Sequence, residues 1–237
     1  MRPIGFSTGA LSLANFHEAI DVLRDEQVNA IELSALRYSE LDFLLASLSL
    51  LNLEKYSFIG IHAPSAFSEA DEVFIASQLI HYVPKKWPIV LHPDSIYDFS
   101  IWNEFGDQLA IENMDRRKPI GRTTEELASI FAKLPNASLC FDIGHARQID
   151  MTMTEAYRML SKYGERLRWV HASEVNSLSR HETLSFASIA AFAEVSYLVP
   201  ENVPVILEAR TPYNAIGLEI EKAMRALPIT IQPAKTA

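Results

Sequence analysis

The 237-residue sequence contains a single cysteine, Cys140, and has no long apolar run. One cysteine excludes an internal disulfide framework and any CxxC metal motif, and it agrees with a reducing, cytoplasmic compartment. The most apolar helix-like stretch, residues 43–53, is shorter than the roughly 20 apolar residues of a membrane-spanning helix. We therefore expect a cytoplasmic chain with no membrane span. No Gly/Ser-rich linker or long charge run divides the sequence, so we predict one domain over residues 1–237.

Positive charge is also scarce. The 21 Lys and Arg are outnumbered by 30 Asp and Glu, which gives a formal net charge of −9. Broad, non-specific binding to nucleic acid depends on clustered Lys and Arg that displace counterions from phosphate. The composition therefore argues against a nucleic-acid partner, and it leaves the oligomeric state open, including a homo-oligomer.

Short apolar runs rich in Ile and Val recur along the chain and alternate with segments of helical spacing. The runs are too short and too β-branched for helices and are typical of buried strands. Eight such runs predict an α/β fold, a single-domain (β/α)8 TIM barrel. A doubly wound sheet is the alternative, but no glycine-rich phosphate loop follows the first run. The runs begin at Ile4, Ala30, Phe58, Pro88, Leu109, Ser138, Trp169 and Pro204.

A histidine or an acid closes six consecutive runs. Apart from one shorter step, their spacing is near the roughly 30 residues of one βα unit. Because the C-terminal ends of barrel strands converge on one mouth, we expect these side chains to lie together there. Imidazole and carboxylate bind zinc, manganese and similar divalent ions, and a cation would offset the repulsion between carboxylates. The pattern predicts a divalent-metal site built from His62, His92, Glu112, Asp142, His171 and Glu208.

Several motifs resemble those of the xylose isomerase-like barrel superfamily, which includes endonuclease IV and many sugar-phosphate isomerases and epimerases. They are GIHAP at Gly60, LAIEN at Leu109, FDIGHA at Phe141, VHASEV at Val170, RHE at Arg180 and LEAR at Leu207. In the isomerase branch, the resemblance implies one divalent ion held by Glu112, Asp142, His171 and Glu208. It further implies proton transfer by Glu112 and Glu208, with His145 binding a substrate hydroxyl or stabilising a developing oxyanion.

The resemblance also extends to the endonuclease IV branch, which uses three zinc ions. His62 and His92 match the histidines of its first zinc, with Glu112 in the bridging position, and His145 and His181 match those of its third. The third zinc also needs an aspartate two residues before the second of these histidines, and Ser179 stands there. Because a hydroxyl is a far poorer ligand than a carboxylate, we expect one or two ions rather than three.

Candidate substrate-binding residues lie just beyond the strand ends. Arg147, Arg180 and Arg210 offer guanidinium groups suited to a phosphate or carboxylate, so an anionic substrate is one interpretation. The alternative is that they pair with nearby acids such as Glu174 and Glu182. Among the tryptophans, Trp102 is the best candidate for the pocket, because it lies in an irregular stretch after the fourth run.

Three functions remain open from the sequence. The favoured one is metal-dependent isomerisation or epimerisation of a small sugar, sugar phosphate or related hydroxy-carbonyl compound. The second is an endonuclease IV-like, zinc-dependent phosphoester hydrolase, which the pair His62 and His92 would serve. The third is a ligand-binding barrel without turnover. Ser179, the short acidic segment over residues 64–72 and the net negative charge favour the small-molecule isomerase.

Overall fold

The computed structural model describes residues 2–228. Its strands are β1 (Ile4–Ser7), β2 (Ala30–Ser34), β3 (Phe58–His62), β4 (Ile89–Leu91), β5 (Leu109–Glu112), β6 (Ser138–Asp142), β7 (Leu167–Ala172), β8 (Glu174–Val175), β9 (His181–Glu182) and β10 (Val205–Leu207). Eight of these strands pair in parallel and close a barrel in the order β1-β10-β7-β6-β5-β4-β3-β2. β8 and β9 form a separate antiparallel hairpin. Each barrel strand coincides with a predicted apolar run, so the (β/α)8 barrel is confirmed.

Helices fill the connections between the barrel strands. The helix over Thr124–Lys133 begins with a side-chain cap, in which the Thr123 hydroxyl accepts a hydrogen bond from the backbone N–H of Glu126 at 3.2 Å. Among residues 2–228, no helix combines the length and the apolar character needed to cross a bilayer. The helices are α1 (Thr8–Ser12), α2 (Phe16–Leu23), α3 (Tyr38–Ser47), α4 (Glu69–Tyr82), α5 (Phe99–Asn103), α6 (Thr124–Lys133), α7 (Ile143–Ile149), α8 (Thr154–Tyr163), α9 (Phe186–Ala193) and α10 (Ile216–Ala226).

The buried apolar residues form two clusters. The larger cluster lies between the strands and the surrounding helices, and the smaller one fills the barrel interior. Because side chains alternate along a strand, the residue two positions further on faces the interior again, nearer the C-terminal mouth. For six strands the residue two positions after the interior apolar residue is polar, and it lies either in the strand or directly after its last residue. The interior cluster consists of Ala30, Val90, Ala110, Cys140, Trp169 and Ile206, and the polar residues two positions on are Glu32, His92, Glu112, Asp142, His171 and Glu208.

Candidate metal centre

Four side chains from four neighbouring strand ends meet at the mouth of the barrel. Glu112, Asp142, His171 and Glu208 each offer one ligand atom, and these atoms all lie within 4.8 Å of one another. Glu112, Asp142 and His171 are buried, and Glu208 is half-buried. The barrel therefore brings together the four residues that the strand-end pattern and the resemblance selected.

Two further groups adjoin this central group and share residues with it. His62 and His92 join Glu112 on one side, while His145 and His181 join Asp142 on the other, each group within 4.8 Å. His181 lies on β9 of the hairpin and lines the cavity at the mouth, and its Nδ1 lies 2.8 Å from the Ser173 hydroxyl.

Glu112 lies at the centre of these groups. Its Oε2 is 3.3 Å from Nε2 of His92 and 3.7 Å from Nε2 of His62. Its Oε1 is 3.3 Å from Nδ1 of His145 and 3.5 Å from Nδ1 of His171. The two oxygens therefore face different sets of imidazoles, which is the arrangement of a carboxylate that can bridge two cations.

Local structure positions Asp142 and His145. Asp142 ends β6 and is the N-cap of α7, and its Oδ1 accepts a hydrogen bond from the His145 backbone N–H at 2.6 Å. The carbonyl of Asn113 lies 2.9 Å from His145 Nδ1. Gly144 lets α7 begin this close to the barrel, because a Cβ there would lie 2.4 Å from the Ser173 carbonyl oxygen.

The fit of a divalent cation can be judged from buried polar atoms that lack a partner. Within residues 2–228, Oε2 of Glu112, Oδ2 of Asp142, Nε2 of His145 and Nδ1 of His171 are buried without a hydrogen bond. Leaving such a group unsatisfied costs about 1–3 kcal/mol. Imidazole nitrogens and carboxylate oxygens are the donor set of zinc and related ions. The residues present therefore fit a divalent cation.

The pKa values of the metal-free site also indicate negative charge that a cation could offset. Burial disfavours the His62 imidazolium, but the negative charge of nearby Glu112 and of the other surrounding carboxylates raises its pKa to about 9. Burial likewise opposes the charge on His145, yet Asp142 and Glu112 raise its pKa to about 10. Burial also raises the pKa of Glu208 to about 8, despite nearby His171. Without a cation, protons on the imidazoles therefore offset the carboxylate charge.

Sequence reasoning missed Glu32, a carboxylate of β2 that is completely buried at this site. Its Oε2 lies 2.8 Å from Nε2 of His171 and 3.2 Å from the indole Nε1 of Trp169. A signal was present in the sequence: AIE in residues 30–32 has the same order of apolar residues and acid as AIE in residues 110–112. Both glutamates stand two positions after an alanine of the interior cluster.

A cavity of about 350 Å³ opens at the candidate metal ligands and is lined by Glu112 and Glu208 among others. Apolar side chains cover part of its wall, while Arg117, Lys118 and Arg210 bring positive charge to it. Lys118 pairs with Asp94 at 2.7 Å, and Arg117 makes two side-chain hydrogen bonds to Asp115. Sequence reasoning missed Arg117 and Lys118, because they lie five and six residues past the end of β5, in a loop whose path the sequence does not reveal.

The three predicted arginines have different locations. Arg210 lines the cavity. Arg147 does not, because its side chain is largely buried and lies 3.5 Å from Glu174, which is the pairing considered as the alternative. Arg180 is exposed in the β8–β9 hairpin and is not among the residues that line the cavity.

Trp102 requires a correction, because it does not lie in the pocket. It is on α5 and completely buried, where its ring stacks against Phe105 with centroids 5.2 Å apart. The indole N–H donates to Oε1 of Glu72 at 2.8 Å. The buried carboxylate satisfies the one polar atom of the indole, and the ring therefore packs in the helix layer.

The acidic segment over residues 64–72 contributes less negative surface than its composition indicates. Glu72 is buried and accepts hydrogen bonds from the backbone N–H groups of Tyr97 at 2.8 Å and Asp98 at 2.9 Å. Only Glu69 and Asp71 leave their charge near solvent. The negative charge that this segment presents near solvent therefore comes from two carboxylates rather than three.

Ser179 stands two residues before His181, where the resemblance to endonuclease IV leads us to expect an aspartate. Its hydroxyl is buried against the side-chain amide of Gln148, which donates to it at 2.8 Å. Its backbone has a left-handed φ of 55°, at the turn of the hairpin that carries His181. The Ser179 hydroxyl is thus hydrogen-bonded to the side chain of Gln148.

Residues 99–227 match the family model described as xylose isomerase-like TIM barrel, and the chain belongs to that family. The matched range holds the central group, which consists of Glu112, Asp142, His171 and Glu208. It also holds His145 and His181, the two histidines that join Asp142. No curated protein matches the chain.

Solved structures share the fold at low sequence identity. A candidate sugar phosphate isomerase/epimerase of Anabaena variabilis is 14% identical, with a TM-score of 0.59 over 98% of this chain and 89% of its own. The 3-keto-D-glucoside 4-epimerase of E. coli is 12% identical, with a TM-score of 0.58 over 93% and 98%. The dihydropteroate synthase of Yersinia pestis is 10% identical, with a TM-score of 0.54 over 95% and 91%. Because such different enzymes share it, the fold alone does not choose a reaction.

Proposed function

We propose that this protein is a divalent-metal-dependent isomerase or epimerase of a small sugar, sugar phosphate or related hydroxy-carbonyl compound. The observation that carries this proposal is the convergence of Glu112, Asp142, His171 and Glu208 beneath a cavity of about 350 Å³. That volume lies at the lower end of the range of ligand pockets and suits a substrate of this size. Fold likeness to isomerases and epimerases is compatible with the proposal and does not carry it.

The four residues divide into two pairs. Glu112 and Glu208 line the cavity and can reach a substrate, whereas Asp142 and His171 are fully buried and do not line it. A bound divalent cation would polarise a substrate carbonyl and acidify the neighbouring C–H bond. The proton-transfer groups are therefore expected to be the two glutamates, and the two buried residues are expected to serve only as ligands.

The carboxylates of Glu112 and Glu208 would transfer the protons. An oxygen of Glu208 takes the proton from the acidified C–H bond, and the electron pair of that bond forms a C=C bond while the carbonyl oxygen gains negative charge. Delivery of a proton from a protonated Glu112 to the opposite face of the same carbon gives the epimer and leaves Glu208 protonated. Return of the proton from Glu208 to the former carbonyl carbon gives the isomer, while the neighbouring hydroxyl passes its proton to the former carbonyl oxygen and becomes the new carbonyl. Nε2 of His145 has no partner within the described chain and can accept a hydrogen bond from a substrate hydroxyl.

The test is deuterium incorporation in D₂O. Purified protein loaded with zinc or manganese is incubated with a panel of aldoses, ketoses and their phosphates, and NMR follows exchange of the C–H next to the carbonyl. We expect exchange with at least one compound class and loss of exchange in Glu208→Gln. The Arg180→Ala variant serves as a matched surface control and should retain it. If metal-loaded protein exchanges no compound in the panel, the proposal is wrong.

Phosphoester hydrolysis is the second candidate, and one observation favours it. The groups His62–His92–Glu112 and Asp142–His145–His181 adjoin the central group and share Glu112 and Asp142 with it. Adjacent cations can activate water and hold both oxygens of a displacement, which a one-metal isomerase does not need. Metal stoichiometry separates the two candidates: one ion per chain supports the isomerase, while two or three ions with release of product from a small aromatic phosphodiester support the hydrolase.

A further inference from the structure

Glu32 places a buried carboxylate against His171. Its side chain is completely buried, as are those of His171 and Trp169. Oε2 of Glu32 lies 2.8 Å from Nε2 of His171 and 3.2 Å from Nε1 of Trp169, and the two nitrogens are 2.9 Å apart. Three polar atoms from β2 and β7 thus meet at one point below the mouth.

The chemistry of the three atoms decides which of them donate. An indole nitrogen only donates, and a carboxylate oxygen that is ionised only accepts. If Nε2 of His171 accepted the indole proton, its lone pair would also face the Glu32 oxygen at 2.8 Å, and two acceptors in contact repel each other. The consistent arrangement has Nε2–H of His171 and Nε1–H of Trp169 both donating to Oε2 of Glu32.

This arrangement leaves the other ring nitrogen of His171 facing the candidate metal position. Nδ1 of His171 lies 3.3 Å from Oε1 of Glu208 and 3.5 Å from Oε1 of Glu112. It is buried and has no hydrogen-bond donor or acceptor partner in the described chain. Histidine ligands commonly donate their second N–H to a carboxylate, which sets the ring orientation and raises the basicity of the ligand nitrogen.

We propose that Glu32 is a positioning residue that keeps Nε2 of His171 protonated and directs Nδ1 toward Glu112 and Glu208. Trp169 assists by donating to the same oxygen and by filling the barrel interior beneath it. The proposal rests on the metal centre of the proposed function for its consequence, which is tighter binding of the cation that His171 contacts. Its structural part, the protonation and orientation of the His171 ring, stands without a metal.

A competing role for Glu32 is direct ligation. Glu32, His62 and Glu208 also offer ligand atoms within 4.8 Å of one another, and Oε1 of Glu32 is buried without a partner in the described chain. Direct ligation predicts the loss of a whole metal site when Glu32 is replaced. Positioning instead predicts weaker binding at an unchanged number of sites.

The first measurement is titration with Zn²⁺ alone against a competing chromophoric chelator, using wild-type protein, Glu32→Gln and Glu32→Ala. Loss of a partner of a ligand histidine typically costs roughly 10–100-fold in metal affinity, and we expect this for Glu32→Ala. We expect a smaller loss for Glu32→Gln, whose amide oxygen still accepts but carries no charge. Glu32→Gln preserves the side-chain shape and so remains informative if the alanine variant does not fold.

Glu219→Gln is the matched control. Glu219 is another buried carboxylate, but it lies on α10 and accepts a hydrogen bond from the backbone N–H of Leu184 at 2.6 Å. Its replacement should lower stability while leaving zinc affinity unchanged. An equal loss of affinity in Glu219→Gln and Glu32→Gln would show a general destabilisation and overturn the positioning role.

The second measurement is long-range ¹H–¹⁵N NMR of the His171 ring, assigned with a His171→Gln variant, in metal-free and zinc-loaded protein. We expect a protonated, slowly exchanging Nε2 in wild-type protein and faster exchange of that proton in Glu32→Ala. A wild-type ring with unprotonated Nε2, or one unchanged by Glu32→Ala, would overturn the proposal, as would a zinc count reduced by one in Glu32→Gln. If wild-type protein binds no metal, the proposed function fails while the NMR result still decides the role of Glu32.

Discussion

The side-chain amide of Asn113 forms two hydrogen bonds with the backbone of Asp142, each 2.8 Å long. Its nitrogen donates to the Asp142 carbonyl, and its oxygen accepts from the Asp142 backbone N–H. The end of β5 is thereby tied to the end of β6, and Glu112 is held beside Asp142. Because both backbone groups are buried, they would otherwise lack partners.

Asn113→Ala should therefore lower the free energy of unfolding by about 1–3 kcal/mol, the cost of buried groups left unsatisfied. It should also weaken zinc binding, because Asp142 loses its fixed position. Chemical denaturation and zinc titration measure the two effects. Asn176→Ala is the control, since Asn176 accepts from backbone N–H groups in the exposed hairpin and its loss should cost less. Equal effects of the two variants would contradict a special role for Asn113.

Removal of divalent metal should lower the melting temperature. A cation that binds only the folded protein stabilises it by about 2.7 kcal/mol when its free concentration is 100 times the dissociation constant. Thermal unfolding with a chelator, and then with added zinc or manganese, measures this shift. Asp142→Asn should reduce the zinc-dependent increase, because Asp142 belongs to two of the ligand groups. A melting temperature that is the same with chelator and with metal would contradict the metal centre.

Metal binding should release protons and strengthen as pH rises from about 6 to 9. The pKa values of His62 and His145 are raised to about 9 and about 10 in the metal-free protein, so protons compete with the cation at neutral pH. Calorimetry in buffers with different ionisation enthalpies counts the released protons. Zinc affinity that does not change with pH would contradict this competition.

The same shifts set the pH dependence of the metal-free fold. Because the folded-state pKa of His62 and His145 is raised from 6.5, their protonation stabilises the fold fully below about pH 6.5. That contribution is lost as pH rises toward 9 and 10. Denaturation of chelated protein at pH 6.5 and pH 9 should show a lower unfolding free energy at pH 9, and zinc should diminish the difference.

Trp102→Phe should reduce stability without affecting the site. The phenyl ring retains much of the apolar packing near Phe105 but removes the N–H that donates to Glu72. We expect a loss of about 1–3 kcal/mol, because the buried carboxylate loses one donor. Zinc affinity and substrate KM should stay at wild-type values. A raised KM with unchanged stability would instead support a substrate contact.

Arg210→Ala should raise KM for an anionic substrate roughly tenfold, as expected for loss of one hydrogen bond to a charged group. Arg210 lines the cavity, whereas Arg180 does not. Arg180→Ala is therefore the matched control, with an unchanged KM. The KM of a neutral substrate analogue should be unchanged in both variants. An equal increase in KM for the anionic and the neutral compound in Arg210→Ala would contradict recognition of negative charge.

The amino-acid sequence by itself determined the barrel and most of its ligand candidates. Strands buried on both faces are continuous apolar runs, which made all eight visible. An acid or histidine at the end of such a run is conspicuous, because burial of a charge needs compensation. Glu112 and His171 were identified from this signal, and the closed barrel brings them to 3.5 Å of each other.

The tertiary structure alone decided which side chains face the mouth. Glu32 lies inside an apolar strand rather than at its end, and only closure of the barrel brings its side chain from β2 to His171 on β7, a strand that β2 does not pair with. Arg210 and Arg147 follow strand ends in the same way, yet loop path and ion pairing bring only Arg210 to the cavity. Trp102 packs outward because Glu72, 30 residues away, satisfies its N–H. Contacts of this kind depend on long-range geometry, which residue spacing along the chain does not specify.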